Sequence, residues 1–354
     1  METLYALHPG SYIRKDGDAL QIMRKGDVID RIPAGNLKKL ILSGYVSLSG
    51  SVLDYLIKNR VETVFITPTG RFRARLMIDE HKHVAMRRDQ YLRLSDPVFS
   101  NEVSKRIVFG KISEMIDMLK KRGKDHNSDR ILSAAAGMNV FLRKLESRKP
   151  AEFSADELRG IEGAATRAYY RVFGDMIRNK AFSFNGRNRR PPRDPVNALL
   201  SFVYTMLTNE VLSAIKVCGL DPYMGSLHEI AYGRPSLACD LVEEHRCRLG
   251  DRFVLGLINR KMVRADDFVF RQIRGNPENA VDEEELRQNR PVEMKPGISR
   301  TFIAAYENMM ARQVTYDPLG QKTSNRRVIY YQVRRFAEFL SNPESGYTHF
   351  CPEK

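Results

Sequence analysis

The sequence predicts an α+β protein in which a small β-rich N-terminal domain is followed by a larger all-α domain. Up to about residue 80, short runs rich in β-branched residues are separated by turns such as Asp16-Gly17-Asp18, the pattern of strands and hairpins. From about residue 97, apolar residues recur every three or four positions, as on one face of a helix. The predicted divisions are a β-rich domain at 1–85, a linker at 86–100, a helical domain at 101–345 and a flexible tail at 346–354.

The β-rich domain is predicted to carry one helix among its strands. Gly26 and Gly35 mark turns between the early strands. The apolar side of the helix is predicted to consist of Val52, Leu53, Leu56 and Ile57. The predicted elements are strands at 4–7, 12–15, 19–24, 28–32 and 38–42, a helix at 51–59, and strands at 62–66 and 71–78.

The helical domain contains recognisable start signals. Ser154 and Glu157 form a capping box, in which each side chain bonds an unpaired amide at the helix start. Asp194 is the expected N-cap of a later helix, with Pro195 at the first helical position. The predicted helices lie at about 97–122, 131–145, 155–176, 195–218, from 236 onward, and at 251–262, 301–313 and 328–340.

Composition indicates a globular protein of the cytoplasm with no membrane partner. Hydrophobic residues make up 42% of the 354 residues, no apolar run approaches the length of a membrane span, and the N-terminus lacks a signal-peptide core. The four cysteines form no C-x-x-C pair, so reduced thiols are expected. The trio Cys239, His245 and Cys247 matches no common zinc spacing.

The charge balance points to a polyanionic partner. Lys and Arg number 58 against 43 Asp and Glu, which gives a net charge of +15. The run 178–193 contains basic residues and no acidic residue before Asp194, and it interleaves Phe182 and Phe184 with the charges. Basic groups bind phosphates and aromatic rings stack on bases, so nucleic acid is favoured over a merely soluble surface strip.

One carboxylate interrupts the apolar stripe of the helix that follows Ser154. Helical winding places Glu162 among Leu158, Ile161 and Tyr169. An unpaired buried carboxylate costs on the order of several kcal/mol, so a cation is expected beside it. The residues alone leave two candidates open, an arginine of this basic chain and a shared metal ion.

A loop histidine and three acids lie within fewer than twenty residues of one another. A helix with Ser236 as its predicted N-cap places Asp240, Glu243 and Glu244 on one face, just after His228. These groups repel one another unless a cation lies among them, although a solvated acidic face remains an alternative. Carboxylate oxygens suit Mg²⁺ or Mn²⁺, and a histidine nitrogen slightly favours Mn²⁺.

Other catalytic motifs are absent. His228-Glu229 is followed by Tyr232 where the zincin pattern requires histidine, and the chain has no Walker A motif, dinucleotide fingerprint or G-x-S-x-G. In a basic protein, a metal held by carboxylates and an imidazole most naturally polarises a phosphodiester.

Four blocks of the sequence resemble the CRISPR-associated spacer-acquisition integrase family, the metal-dependent DNA endonucleases of the CRISPR adaptation complex. The β-then-α layout extends the resemblance over most of the chain, most weakly after about residue 270. The blocks are I-E-G-A at 161–164, R-R-P-P-R-D-P-V-N-A-L-L-S-F at 189–202, G-L-D-P-Y-M-G-S-L-H at 219–228 and R-P-S-L-A-C-D-L-V-E-E at 234–244.

The resemblance implies a site and a reaction. Glu162, His228 and Glu243 would be the ligands of Mg²⁺ or Mn²⁺, with Asp240 beside them as an auxiliary catalytic acid. In antiviral defence, the 3′-hydroxyl of a captured double-stranded DNA fragment would attack a phosphodiester at the edge of a CRISPR repeat. The candidate ligands of DNA phosphates are Arg187, Arg189, Arg190 and Arg193.

The resemblance also implies partners. The N-terminal domain would form a homodimer, and a small ferredoxin-like CRISPR-associated protein would bridge two dimers, with the acidic run Asp282–Glu285 or the tail as its candidate contact. Two other functions stay open: a metal-dependent nuclease that hydrolyses branched or single-stranded nucleic acid, and a non-catalytic nucleic-acid scaffold. Strand joining and metal dependence distinguish the three.

Overall fold

The computed structural model describes residues 3–8, 10–67, 72–76, 83–188, 191–270 and 292–350. The chain divides into two compact units, Met1–His81 and Lys82–Lys354. The first is rich in strands and the second is mostly helical, so the predicted α+β class is confirmed.

The N-terminal unit contains two four-stranded sheets that share an apolar core. One sheet has the order β1-β5-β7-β8 and the other β4-β3-β2-β6. Gly17, at a φ of +57°, closes the predicted hairpin, in which Asp16 pairs with Ala19. The strands are β1 (Thr3–Ala6), β2 (Tyr12–Asp16), β3 (Ala19–Arg24), β4 (Asp27–Pro33), β5 (Lys39–Ser43), β6 (Ser47–Leu48), β7 (Glu62–Ile66) and β8 (Phe72–Leu76).

The helix of this unit is α1 (Gly50–Lys58). The hydroxyl of Ser49 caps it by accepting a hydrogen bond from the amide of Val52. Val52 and Leu56 of the predicted apolar side are fully buried, whereas Ile57 is 46% exposed, so the predicted side was too wide at Ile57. It packs into the same core as both sheets.

The second unit is built around the 30-residue helix α3, which packs against α4 and α5. Short strand pairs, β9 (Phe268–Phe270) with β10 (Val292–Met294) and β11 (Gln313–Tyr316) with β12 (Gln321–Ser324), lie after the central helices. The helices are α2 (Val84–Ser95), α3 (Pro97–His126), α4 (Asp129–Glu146), α5 (Ala155–Phe173), α6 (Pro195–Val217), α7 (Ser236–Leu241), α8 (Glu243–His245), α9 (Arg252–Asn259), α10 (Pro296–Ala311) and α11 (Asn325–Ser341).

Helix α6 is long and apolar enough to cross a membrane by composition alone. Its most apolar window is 78% buried inside the unit, so its composition is explained by the core it helps to form. The predicted caps of this helix are present: Asp194 accepts a hydrogen bond from the amide of Asn197, and Pro195 occupies the first turn.

Two segments differ from their predicted form. The expected linker at 86–100 is helical, because Gln90 and Leu94 bury one side of α2 within the second unit. The expected flexible tail begins with a packed segment in which Tyr347 and Phe350 are buried. Residues 351–354 and the acidic run Asp282–Glu285 lie outside the described residues.

Candidate active site

Glu162 lies on α5 inside the apolar stripe, as helical winding predicts. Leu158 and Tyr169 are fully buried on either side of it, while the Glu162 side chain is 23% exposed. The hydroxyl of Thr166 donates to Glu162 Oε1 at 2.9 Å. The cation that compensates Glu162 is Lys111 of α3, whose Nζ contacts the same oxygen.

Lys111 also reaches the second acid of the site, Glu243 on α8. Its Nζ lies 2.7 Å from Glu243 Oε2, and both side chains are almost fully buried. Arg246 pairs with the other oxygen, Oε1, at 2.7 Å. Burial alone would raise the pKa of Glu243, but the charges of Arg246 and Lys111 outweigh it and lower this pKa to about 2. The Glu243 carboxylate is therefore ionised at any physiological pH.

His228 is held in one orientation by Asp240. The Asp240 side chain is completely buried, and its Oδ1 lies 2.7 Å from His228 Nδ1. Asp240 also accepts backbone hydrogen bonds from the amides of Ser226, Leu227 and His228 at 2.6–3.1 Å. An Nδ1–H donor leaves the lone pair of His228 on Nε2, the nitrogen that a metal would take. Asp240 thus positions the histidine and has no place as a direct ligand in this arrangement.

The loop that carries His228 is fixed from two sides. Buried Gln90 of α2 donates to the carbonyls of Asp221 and Met224 at 2.8 and 2.9 Å and accepts from the amide of Asp221 at 2.7 Å. At Gly225, a Cβ atom would lie 2.6 Å from Asp240 Oδ2, so glycine permits the close approach of loop and carboxylate. The loop is consequently preorganised before any ligand arrives.

Two details of the predicted acidic helix are wrong. Ser236 is not the N-cap but the first residue of α7, where its hydroxyl donates to the carbonyl of Glu229 at 2.9 Å. Glu244 does not face the site, because its carboxylate accepts from Tyr347 and from Gln332 of α11. Adjacent side chains on a helix point about 100° apart, so Glu243 and Glu244 can face different neighbours, and a π-helix follows at Arg246–Asp251.

The site residues fit a divalent metal ion. Glu162 and Glu243 supply hard oxygens, and both contact one cation, the ammonium of Lys111. His228 adds a nitrogen whose partner Asp240 has the usual orienting role of a carboxylate behind a metal-bound histidine. In the described part of the chain, no three His, Cys, Asp or Glu side chains form a ready metal-binding cluster, and Lys111 lies between the two carboxylates.

Sequence reasoning missed Lys111, although a signal was present. Ile107, Lys111 and Met115 recur at four-residue spacing on α3, and the two apolar members are buried. Lys111 interrupts the apolar stripe of α3 just as Glu162 interrupts the apolar stripe of α5. Since each charge needs a partner of opposite sign, the two interruptions together would have predicted the ion pair.

A basic pocket of about 640 Å³ adjoins the site through Thr166. Tyr170 and Phe184 provide aromatic surface there. Phe182, by contrast, is buried against Phe268. Arg130 of the pocket is paired with Asp175 at 3.2 Å. The arginines that line the pocket are Arg130, Arg167, Arg171 and Arg187.

The four arginines predicted to bind DNA have different surroundings. Arg187 lines the pocket, but its guanidinium also donates to Asn197 Oδ1 at 2.7 Å and to Ser201 at 3.1 Å, so it holds the loop onto α6. Arg193 is exposed. Arg189 and Arg190 lie outside the described residues.

A buried carboxylate, Asp251, stands behind the site and gives a pH-dependent prediction. Tyr169 donates to it at 3.0 Å and Tyr204 donates to its other oxygen. Burial raises the pKa of Asp251 to about 6, although these two hydroxyls lower it in part. An acid with a raised pKa stabilises the fold below its unfolded pKa, and the stabilisation is lost as the pH rises through the folded pKa.

We therefore expect Asp251→Asn to be more stable than the parent at pH 7.5, by about 3 kcal/mol for a shift of about two pKa units. The difference should shrink at pH 4.5, where the parent carboxyl is also largely protonated in the folded protein. Urea unfolding of both proteins at the two pH values measures it. An equal gain in the free energy of unfolding at both pH values would contradict the raised pKa of Asp251.

Comparison with known proteins places this geometry in a family. A family model described as CRISPR associated protein Cas1 matches residues 4–278. The chain is 32% identical to CRISPR-associated endonuclease Cas1 1 of Chlorobaculum tepidum over 356 residues, which cover 99% of this chain and 98% of the relative.

Solved structures share the fold. The structure titled "Casposase bound to integration product" has a TM-score of 0.80 at 24% identity and is matched over 100% of this chain and 94% of that chain. A chain of the structure titled "Cas6-RT-Cas1--Cas2 complex" has a TM-score of 0.79 at 19% identity over 99% of this chain. The present chain spans 36% of that longer one.

Proposed function

This chain belongs to the CRISPR-associated Cas1 family, and on that premise we propose that it is a metal-dependent DNA endonuclease and integrase. It would join the 3′-hydroxyl of a captured DNA fragment to a phosphodiester at the edge of a CRISPR repeat. The observation that carries the proposal is the pairing of buried Glu243 with Glu162 around one cation, beside a histidine oriented by a buried carboxylate.

Each residue of the site has a defined part in this reaction. Glu162, Glu243 and Nε2 of His228 would hold the metal, which supplies positive charge to the attacking and leaving oxygens. Asp240 keeps His228 in the required tautomer. Arg246 is fixed beside Glu243 by its ion pair and by the ring of Tyr204, 5.0 Å from its guanidinium carbon. These contacts prepare the ligands before DNA binds, which lowers the reorganisation required during the reaction.

The basic pocket supports a route for DNA to this site. Arg167, Arg171 and Arg187 surround it, and the half-buried Phe184 offers a ring to unpaired bases. Arg193 on the adjoining loop is exposed and free to reach a neighbouring phosphate. The large net positive charge of the chain favours the same partner.

We further propose that the protein acts as a homodimer with a small ferredoxin-like CRISPR-associated protein. The support for a partner is the fold shared with a chain of the complex whose title pairs Cas1 with Cas2. The family implies that the N-terminal unit forms the dimer contact, and the two compact sheets of that unit are compatible with such a role.

The test is an integration assay with the purified full chain and its small partner. A short duplex with labelled 3′-hydroxyl ends is mixed with a supercoiled plasmid that carries repeats, in Mn²⁺, in Mg²⁺ or in chelator. We expect label to join the plasmid only when metal is present. Nicking that depends on metal without joining would favour the hydrolytic nuclease. DNA binding without joining or nicking in any condition would leave the non-catalytic nucleic-acid scaffold as the remaining function.

A further inference from the structure

Both oxygens of the Glu243 carboxylate are paired with cationic side chains. Arg246 pairs with Oε1 and Lys111 pairs with Oε2, each at 2.7 Å. We propose that Lys111 is a built-in counter-cation: it holds Glu162 and Glu243 together in the metal-free protein, and a divalent ion must displace it to bind. The inference rests on the proposed function for the nature of that ion.

The charges of the site explain why a counter-cation is needed. Glu243 is 2% exposed, and a buried carboxylate without a partner is costly. Lys111, itself 3% exposed, pairs with Glu243 and Glu162 at once. Together with Arg246, the four groups carry two negative and two positive charges. Adding a divalent ion while Lys111 stays in place would give the buried cluster an excess of two positive charges, which like-charge repulsion opposes.

The geometry indicates that Lys111 moves and Arg246 does not. Arg246 lies three residues from Glu243 on the same segment, and its guanidinium is held over the ring of Tyr204. Lys111 presents a single ammonium on a flexible four-carbon stem from a different helix, α3. That single ammonium contacts Oε2 of Glu243 at 2.7 Å, a position in which another cation can replace it.

Two opposite effects follow from removing Lys111. Without metal, Glu162 and Glu243 would face each other without their shared cation, so the protein should become less stable. With metal, no competing charge would have to leave, so the site should bind the ion more tightly. A lysine that only supported the fold would produce the first effect without the second.

The experiment measures Mn²⁺ binding by the full chain without DNA or partner, from the loss of the free Mn²⁺ signal in electron paramagnetic resonance. We expect Lys111→Met to lower the Kd for Mn²⁺ by at least about tenfold, and to lower the Tm without metal while enlarging the rise in Tm on adding Mn²⁺. Lys105→Met is the matched control on α3, because Lys105 donates to the carbonyl of Arg148 and not to the site. Its Kd should equal that of the parent.

A second variant keeps the test decisive if Lys111→Met fails to fold without metal. Lys111→Arg retains the charge and can pair with carboxylates through two N–H groups, so it should raise the Kd for Mn²⁺. An unchanged or raised Kd in folded Lys111→Met, or a lowered Kd in Lys111→Arg, would overturn the inference. If the parent protein binds no Mn²⁺ and joins no DNA, the proposed function fails as well. If the parent does both, the proposed function stands and only the inference about Lys111 fails.

Discussion

Glu243→Gln is expected to reduce strand joining and metal-dependent nicking by at least about 1,000-fold, the scale on which a group essential to transition-state charge stabilisation acts. The amide retains the shape of the side chain but removes the negative charge that would hold the metal. It also leaves Lys111 and Arg246 beside each other without their shared carboxylate partner. Breaking such a buried pair costs about 3–5 kcal/mol, so assays should run well below the Tm of the variant.

The neighbouring acid provides a matched control for this prediction. Glu244 is as buried as Glu243, but its carboxylate faces Tyr347 and Gln332 instead of Lys111. Burial raises the pKa of Glu244 to about 7, so a neutral side chain is already tolerated there near neutral pH. Glu244→Gln should therefore retain activity within about threefold, a change of under 1 kcal/mol in the barrier.

The two variants are compared in parallel by labelled-fragment integration and plasmid nicking. This comparison tests whether Glu243 is a metal ligand. Equal losses in both would mean that disturbance of this helical segment, and not loss of a ligand, explains the effect. Full activity in Glu243→Gln would mean that Glu243 is not a required metal ligand.

The class of fold could be predicted from local patterns because each half of the chain has its own periodicity. The turn at Gly17 and the caps at Ser154 and Asp194 are local signals, and the structure contains them. Only half of the predicted capping box is present, because the Glu157 side chain pairs with Arg148 at 2.6 Å and Lys144 at 3.2 Å. The helical form of the segment 86–100 was not predicted, because α2 has little amphipathic pattern of its own. Its helical form depends on tertiary contacts such as those of Gln90 with a loop 131 residues away.

In the candidate site, too, local signals could be read from the sequence, whereas contacts between distant segments could not. The anomaly of Glu162 was visible, since a carboxylate in an apolar stripe needs a partner wherever the helix packs. The identity of that partner was not visible from α5 alone, because Lys111 lies 51 residues earlier on another helix. Three- and four-residue spacing predicted one shared face for Asp240, Glu243 and Glu244, but it could not show that the Glu244 carboxylate instead accepts hydrogen bonds from Tyr347 and Gln332.

Gly225→Ala is expected to have the second large effect, because it acts on the support of His228 and not on a ligand. The added Cβ would lie 2.6 Å from Asp240 Oδ2, 2.7 Å from the carbonyl carbon of Ser236 and 2.8 Å from the amide nitrogen of Leu237. Two of these neighbours are backbone atoms, which cannot move aside as a flexible side chain does. The loop must therefore shift away from α7.

That shift would break the hydrogen bonds that Asp240 accepts from Ser226, Leu227 and His228, and it would release the imidazole from its orientation. We expect strand joining to fall at least about 100-fold, on the scale of a lost supporting contact behind a metal ligand, and the Kd for Mn²⁺ to rise. Gly160→Ala is the matched control, two residues from Glu162 on α5, where a Cβ meets no atom within 4 Å. It should keep activity and gain about 0.5–1 kcal/mol of stability from helix propensity. If Gly225→Ala bound Mn²⁺ and joined DNA as the parent does, a fixed His228–Asp240 pair would not be required for the reaction.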